Sequence, residues 1–117
     1  MLGLSHKKLI VWQKSLLLVN EVYLLTDDFP TGEKFGLVSQ MRRASVSVVS
    51  NIAEGAARRT GKEKRRFYDI ARASLVEVDT QIEISLKLGF LESTEIERLS
   101  KLLNECFAML TKLRSLS

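Results

Sequence analysis

The chain has 117 residues, of which 45% are hydrophobic and 27% charged, and a formal net charge of +4. That length suits a single domain, residues 1–117, with a core of its own, and the balance of apolar and charged residues excludes a disordered chain. One cysteine, Cys106, excludes an internal disulfide, and with one histidine, His6, a metal site has almost no ligands, so neither metal nor cofactor is expected and a reducing cytoplasm suits the chain.

Pro30, the only proline, and Gly32, Gly55, Gly61 and Gly89 divide the sequence into four helical segments, roughly 6–28, 32–57, 61–89 and 93–115. The first is apolar on three sides. Trp12, Leu16, Val19 and Tyr23 share one face, Leu17 and Leu24 a second, and Val11, Leu18, Val22 and Leu25 a third. A helix apolar nearly all round is normally buried, so self-association is expected. Its run Leu16-Leu17-Leu18-Val19 ends at Asn20-Glu21, too short for a membrane span or a signal peptide.

The second segment carries Leu37, Met41, Ala44, Val48 and Ile52 in one row, widened by Val38, Ser45, Val49 and Ala56. In the third, Thr60 followed by Glu63 reads as a capping box, and Gly89 as the residue that ends the helix. Its core row is Phe67, Ala71, Ser74, Leu75, Val78, Ile82, Ser85 and Leu86. A separate stripe of Ile70, Ile84 and Leu88 has Glu77 and Gln81 between its members. The last segment is expected to start at Ser93, with Glu95 and Glu97 in its first turn. Ile96, Leu99, Leu103, Cys106, Leu110 and Leu113 then form a continuous seam, flanked by Leu102, Met109 and Leu116. No strand-like alternation competes. The pattern predicts an all-α protein, an antiparallel up-down-up-down four-helix bundle.

Charge is not spread evenly. Residues 42–72 hold nine arginines and lysines against three acids, whereas the flanking stretches are close to neutral. The nine are Arg42, Arg43, Arg58, Arg59, Lys62, Lys64, Arg65, Arg66 and Arg72, all candidates for phosphate contact. Arg72 and Arg65 project away from the core row of the third helix and are expected to join the turn cluster. Phe67 and Tyr68 follow the charges but fall on the core face, which argues against base stacking. No zinc finger or RNP motif accompanies them, so binding would be electrostatic and shape-based.

Opposite the apolar row of the second helix, Gln40, Arg43, Ser47, Ser50, Asn51 and Glu54 fall within about 100° of arc. With Glu77 this polar stripe reads as an interface. It faces solvent, a neighbouring subunit or a channel, and Arg43 and Glu54 are placed to pair across a neighbour. Catalysis is not expected: there is no phosphate-binding glycine loop and no Cys/His pair. Glu77, Asp79 and Glu83 point in different directions around the third helix.

Several stretches occur in order at the spacing of a known family. They are Leu9-Ile10-Val11-Trp12, Phe29-Pro30 with Glu33, Gln40-Met41-Arg42-Arg43-Ala44-Ser45-Val46-Ser47 and Asn51-Ile52-Ala53-Glu54-Gly55. Phe67, Ile70-Ala71-Arg72-Ala73-Ser74-Leu75, Glu77, Gln81 and Leu88-Gly89-Phe90-Leu91 complete the set. Over about residues 9–91 the chain resembles the four-helix-bundle family encoded in intervening sequences of bacterial 23S ribosomal RNA genes, also called the S23 ribosomal protein family. The resemblance implies an antiparallel bundle assembled as a ring-like homopentamer. It also implies likeness in fold to the accessory variability protein of diversity-generating retroelements, a basic ring that binds nucleic acid and a reverse transcriptase. Ala73 stands where that pattern has glycine, which adds helix propensity, and Asp79 where it has glutamate, which shortens a carboxylate.

Two readings follow, with different consequences. In the first, a non-enzymatic homo-oligomer presents its basic surface to nucleic acid, RNA rather than DNA. In the second, the chain is an oligomeric protein-interaction scaffold whose basic turn is only a solvated loop. A ribosomal component proper has little support in the residues.

Overall fold

The apolar rows fold as four α-helices: α1 (Ile10–Thr26), α2 (Leu37–Ala57), α3 (Gly61–Lys87) and α4 (Glu97–Ser115), with no strands. A computed structural model describes residues 1–117. Short 3-10 turns, Ser5–Lys8, Thr31–Glu33 and Ser93–Glu95, occupy stretches that the sequence pattern assigns to α-helix. No helix is long and apolar enough to cross a membrane.

Local chemistry explains where the helices begin and end. The Thr60 hydroxyl accepts from the Glu63 N–H at 3.2 Å and so caps α3 as its spacing predicts. Gly89 follows α3 with a φ of +79°, a backbone state that L side chains rarely adopt. Ser93 does not start α4. Instead, Glu92 and Glu95 cap each other's backbone across the 3-10 turn, satisfying two donors at once, and α4 begins two residues later with only Glu97 in its first turn. Likewise α2 starts at Leu37, because the Glu33 carboxylate, held in the preceding turn, accepts from the Leu37 N–H at 3.2 Å.

One cluster of 20 buried residues forms the core. Met41, Ala44, Val48 and Ile52 of α2, Ala71, Leu75, Val78 and Ile82 of α3, and Leu99, Leu103, Cys106 and Leu110 of α4 all lie in it, as their spacing predicts. Burial pushes the Cys106 thiol up to about 11. Of the three rows read off α1, the third, Val11, Leu18, Val22 and the partly buried Leu25, is the one that packs on the core. Its inward row is Val11, Ser15, Leu18, Val22 and Thr26, while Leu16, Leu17, Tyr23 and Leu24 are exposed. Ser15 and Thr26 are tolerated inside because each hydroxyl donates to a carbonyl of its own helix, Trp12 at 2.6 Å and Val22 at 2.7 Å.

Each helix packs on its two neighbours in the order α1, α2, α3, α4 and back to α1, with the most extensive contact between α2 and α3. Ser47 Oγ lies 2.9 Å from Ser74 Oγ, the Ser85 hydroxyl contacts Met41 Sδ at 3.6 Å, and Gly55 lies against Tyr68. Residue numbers therefore rise along α2 as they fall along α3. The ion pairs Lys14–Glu105 and Glu21–Arg98 join α1 to α4 in the same sense, and Asp69–Arg114 with Arg72 on the Phe107 ring does so for α3 and α4.

Gly55 sets how closely α2 and α3 approach. A Cβ there would lie 2.6 Å from Tyr68 Cε1 and 3.2 Å from Phe67 Cβ, and the buried Tyr68 ring has nowhere to go. Gly55→Ala is therefore expected to lower the unfolding free energy by about 1–3 kcal/mol in urea titrations, despite alanine's better helix propensity. An unchanged midpoint would show that the helices separate without loss.

Candidate nucleic-acid interface

Three residues, Arg58, Arg59 and Thr60, join α2 to α3. The cations around this turn divide into two groups. Some are tied to the fold: Arg58 pairs with Glu54 at 2.8 Å, and Lys64 Nζ donates to the Ala56 carbonyl at 3.1 Å, closing the end of α2. Arg65 Nη1 donates to the Ser117 carbonyl at 2.9 Å, fastening α3 to the last residue of the chain. By contrast, Arg59, Lys62 and Arg66 are exposed and pair with no acid. The Phe67 ring is half-buried rather than a full core member. The Arg58 and Arg66 guanidinium carbons lie 4.6 and 5.9 Å from its centroid, so the ring supports cations instead of offering a face to a base.

The last helix adds to this end. Lys62, Arg65, Arg66 and Arg114 surround one shallow basin, with Asp69, Ile70 and Ala73 completing its wall. Arg114 Nε donates to Asp69 Oδ1 at 2.5 Å. That hydrogen bond, then the nearby Arg114 and Arg72 charges, hold the Asp69 carboxyl below its ordinary range. A neighbouring groove brings Lys112 of α4 beside Lys8, just before α1, over Leu9, Ile10, Leu113 and Leu116. Lys8, Lys112 and Arg114 escaped the sequence reading because they lie far from residues 42–72 along the chain. Their signal was present: an antiparallel expectation puts the end of a fourth helix beside the start of a third.

Three of the expected cations are elsewhere. Fifteen residues of helix, about 22 Å, separate Arg43 from Arg58. Arg42 is a tether: its guanidinium donates to Thr26 Oγ1 at 3.0 Å and the Tyr23 carbonyl at 3.3 Å, pairs with Asp27 at 3.1 Å and stacks on the Tyr23 ring. Arg72 does not join the turn cluster. It packs on the Phe107 ring at 5.0 Å and pairs with Asp69 at 3.5 Å, while its Nε is buried without a partner.

The polar stripe of α2 is split in the same way. Asn51 donates to the Ser47 carbonyl and hydroxyl at 2.9 and 3.1 Å, and Ser47 reaches Ser74, so these residues serve the α2–α3 contact. Glu54 is engaged by Arg58, one turn on, rather than by Arg43. Gln40, Arg43, Glu77 and Gln81 line an open groove between α2 and α3, with Phe35 at its edge.

A four-helix all-α protein with a polybasic end is the class that this architecture defines. The model of the 23S rRNA-intervening sequence protein family matches residues 7–112, and the chain belongs to that family. A solved structure from Bacteroides thetaiotaomicron, a protein of unknown function from the S23 ribosomal protein family, superposes with a TM-score of 0.82 at 19% sequence identity. The match covers 91% of this chain and 96% of that one, which shows a shared fold. No curated protein matches the chain.

The Asp69–Arg114 pair fastens α4 to α3 beside the basic basin. A carboxylate with a depressed folded pKa contributes stability above its unfolded value, about 3.8, and loses it as pH falls through the lower folded value. Lowering the pH from about 5 to about 2.5 should therefore destabilise the wild type more than Asp69→Asn, as read by thermal melts across that window. Parallel curves would remove the pair from the list of fold-stabilising contacts.

Proposed function

We propose that this chain is a non-enzymatic, homo-oligomeric antiparallel up-down-up-down four-helix bundle that binds structured RNA by phosphate contacts at one basic end. The observation that carries the reading is the convergence of Lys62, Arg65, Arg66 and Arg114 on a basin lined by one acid, Asp69, with Arg59 in the adjoining turn and a second groove bearing Lys8 and Lys112. Unpaired Arg59, Lys62 and Arg66 supply the primary contacts, and Arg43 is not part of the surface. RNA is favoured over DNA by the ribosomal RNA context in the family's name. Such contacts position a polyanion without reading its bases.

Self-association is supported by α1. Its only charged residues, Lys14 and Glu21, are both drawn to α4 by Glu105 and Arg98. The outward face left behind, Ile10, Gln13, Leu16, Leu17, Asn20, Tyr23 and Leu24, has no charge, and its five large apolar side chains are 41–61% exposed. Surfaces of this kind are normally covered. An assembly of five, as the family resemblance implies, is the proposed state. The same α1 face supports the scaffold reading, in which it docks a different protein, a reverse transcriptase among the candidates.

Filter binding to a structured RNA across a salt series separates the two readings. Replacing Arg59, Lys62 and Arg66 with glutamine should weaken binding and flatten the logarithmic salt slope by about 2–3, whereas Arg43→Gln should leave it unchanged. Binding that ignores the triple substitution would remove the basic end from the function. No binding at low salt by an intact oligomer would favour the scaffold.

A further inference from the structure

Phe35 is the most exposed aromatic residue of the chain, at 90% of its full area. It is not on a loose loop. The 3-10 turn Thr31–Glu33 precedes it, Lys34 N–H donates to the Thr31 carbonyl at 3.2 Å, and Gly36 N–H to the Glu33 carbonyl at 3.1 Å. The Glu33 carboxylate then caps α2, so the ring is held outward on a fastened segment. Lys34 Nζ lies 5.5 Å from the ring centroid. A pre-positioned aromatic beside a cation is a ready anchor for an interface, because little freedom remains to be lost on binding.

On the other side of α3, between α3 and α4, is a cleft of about 220 Å³ lined by Leu75, Val76, Leu103 and Phe107, with Ser100, Asn104 and one acid, Asp79, at its wall. Val76 is 53% exposed and Phe107 38%, so the cleft is unfinished as a surface. A cavity of about 150 Å³ is enough to hold benzene. Nothing in the chain's own fold pairs with Asp79, which is exposed and reaches no cation.

We infer that Phe35 of one copy inserts into the α3–α4 cleft of a second copy, with Lys34 meeting the second copy's Asp79. Size, polarity and charge agree: ring to the apolar side chains of the cleft, ammonium to carboxylate. Phe35 stands at one end of the α2–α3 groove and the cleft opens on the α3–α4 side, so anchor and cleft are on different faces of each copy. The edge that carries Phe35 also holds Gln81, 7% exposed, whose Oε1 is buried without a donor, as on a face that another chain completes. The two patches differ, so the contact is heterologous, each copy giving an anchor and receiving one.

This rests on the self-association proposed above, and the experiment distinguishes the two. Sedimentation velocity of the full chain is measured for wild type, Phe35→Ala, Lys34→Glu, Asp79→Lys and the Lys34→Glu/Asp79→Lys pair. All three positions are on the surface, so unchanged melting of each variant is the check on folding. Phe35→Ala should raise the dissociation constant about 30-fold or more, as for an interface hot spot. Each charge reversal should weaken assembly, and the double reversal should restore it. Wild-type assembly by Phe35→Ala, or no recovery in the double reversal, overturns the Phe35 contact and leaves self-association through α1 intact. A wild type that stays monomeric overturns both.

Discussion

The close approach of α2 and α3 is the constraint on which the rest of the molecule depends. Small residues line the contact: Gly55 under the Tyr68 ring, Ser47 bonded to Ser74, Ser85 against Met41. Larger side chains there would hold the helices apart and open the core between them. Closeness also decides where the cations go. Across the short turn, Lys64 reaches back to the Ala56 carbonyl and Arg58 lies over Phe67. The basic end is thus a by-product of tight packing as much as of composition.

Gathering like charges at a turn is unfavourable, and the structure shows how the repulsion is offset. Glu54, the Ala56 carbonyl and the Ser117 carbonyl each take up one of the cations, Asp69 pairs with Arg114 as well as Arg72, and the Phe67 ring provides a face for the Arg58 and Arg66 guanidiniums. What is left unneutralised at the turn is the small set Arg59, Lys62 and Arg66, with Lys8 and Lys112 exposed nearby. Counting basic residues in a sequence overstates a binding surface for this reason: five of the nine in residues 42–72 are engaged within the fold.

Much of the fold was legible because apolar periodicity is a property of one helix at a time. The rows of α2, α3 and α4 each had a single apolar face, so their core members could be read directly. Helix α1 has apolar residues on three sides, and periodicity cannot choose among them. In the observed packing Leu18 and Val22 face inward and Leu17 and Leu24 outward, and the ion pairs of Lys14 with Glu105 and of Glu21 with Arg98 accompany that orientation. Those pairs span more than seventy residues of sequence and are invisible to local patterns. The interface was half legible on the same grounds. The turn cluster is contiguous in the chain, whereas Lys8, Lys112 and Arg114 join it only through the packing of α4.

The two proposed surfaces bear on one another through geometry. A single copy offers three free cations at the turn and two more nearby, and contacts of this number hold a polyanion weakly and lose it readily to salt. Copies related by the Phe35 contact would point the same way along the axis of the assembly if that heterologous contact closes into a ring. Their basic ends would then lie on one side of the assembly. Linking several weak sites raises the effective concentration of each for the next, so the assembly would bind a folded RNA far more tightly than one copy, with no base-reading contact needed. Selectivity would come from whether the phosphates of a partner match the spacing of the ends. A bundle with few free cations and a chargeless helix face makes physical sense if the oligomer, and not the single chain, is the unit that binds.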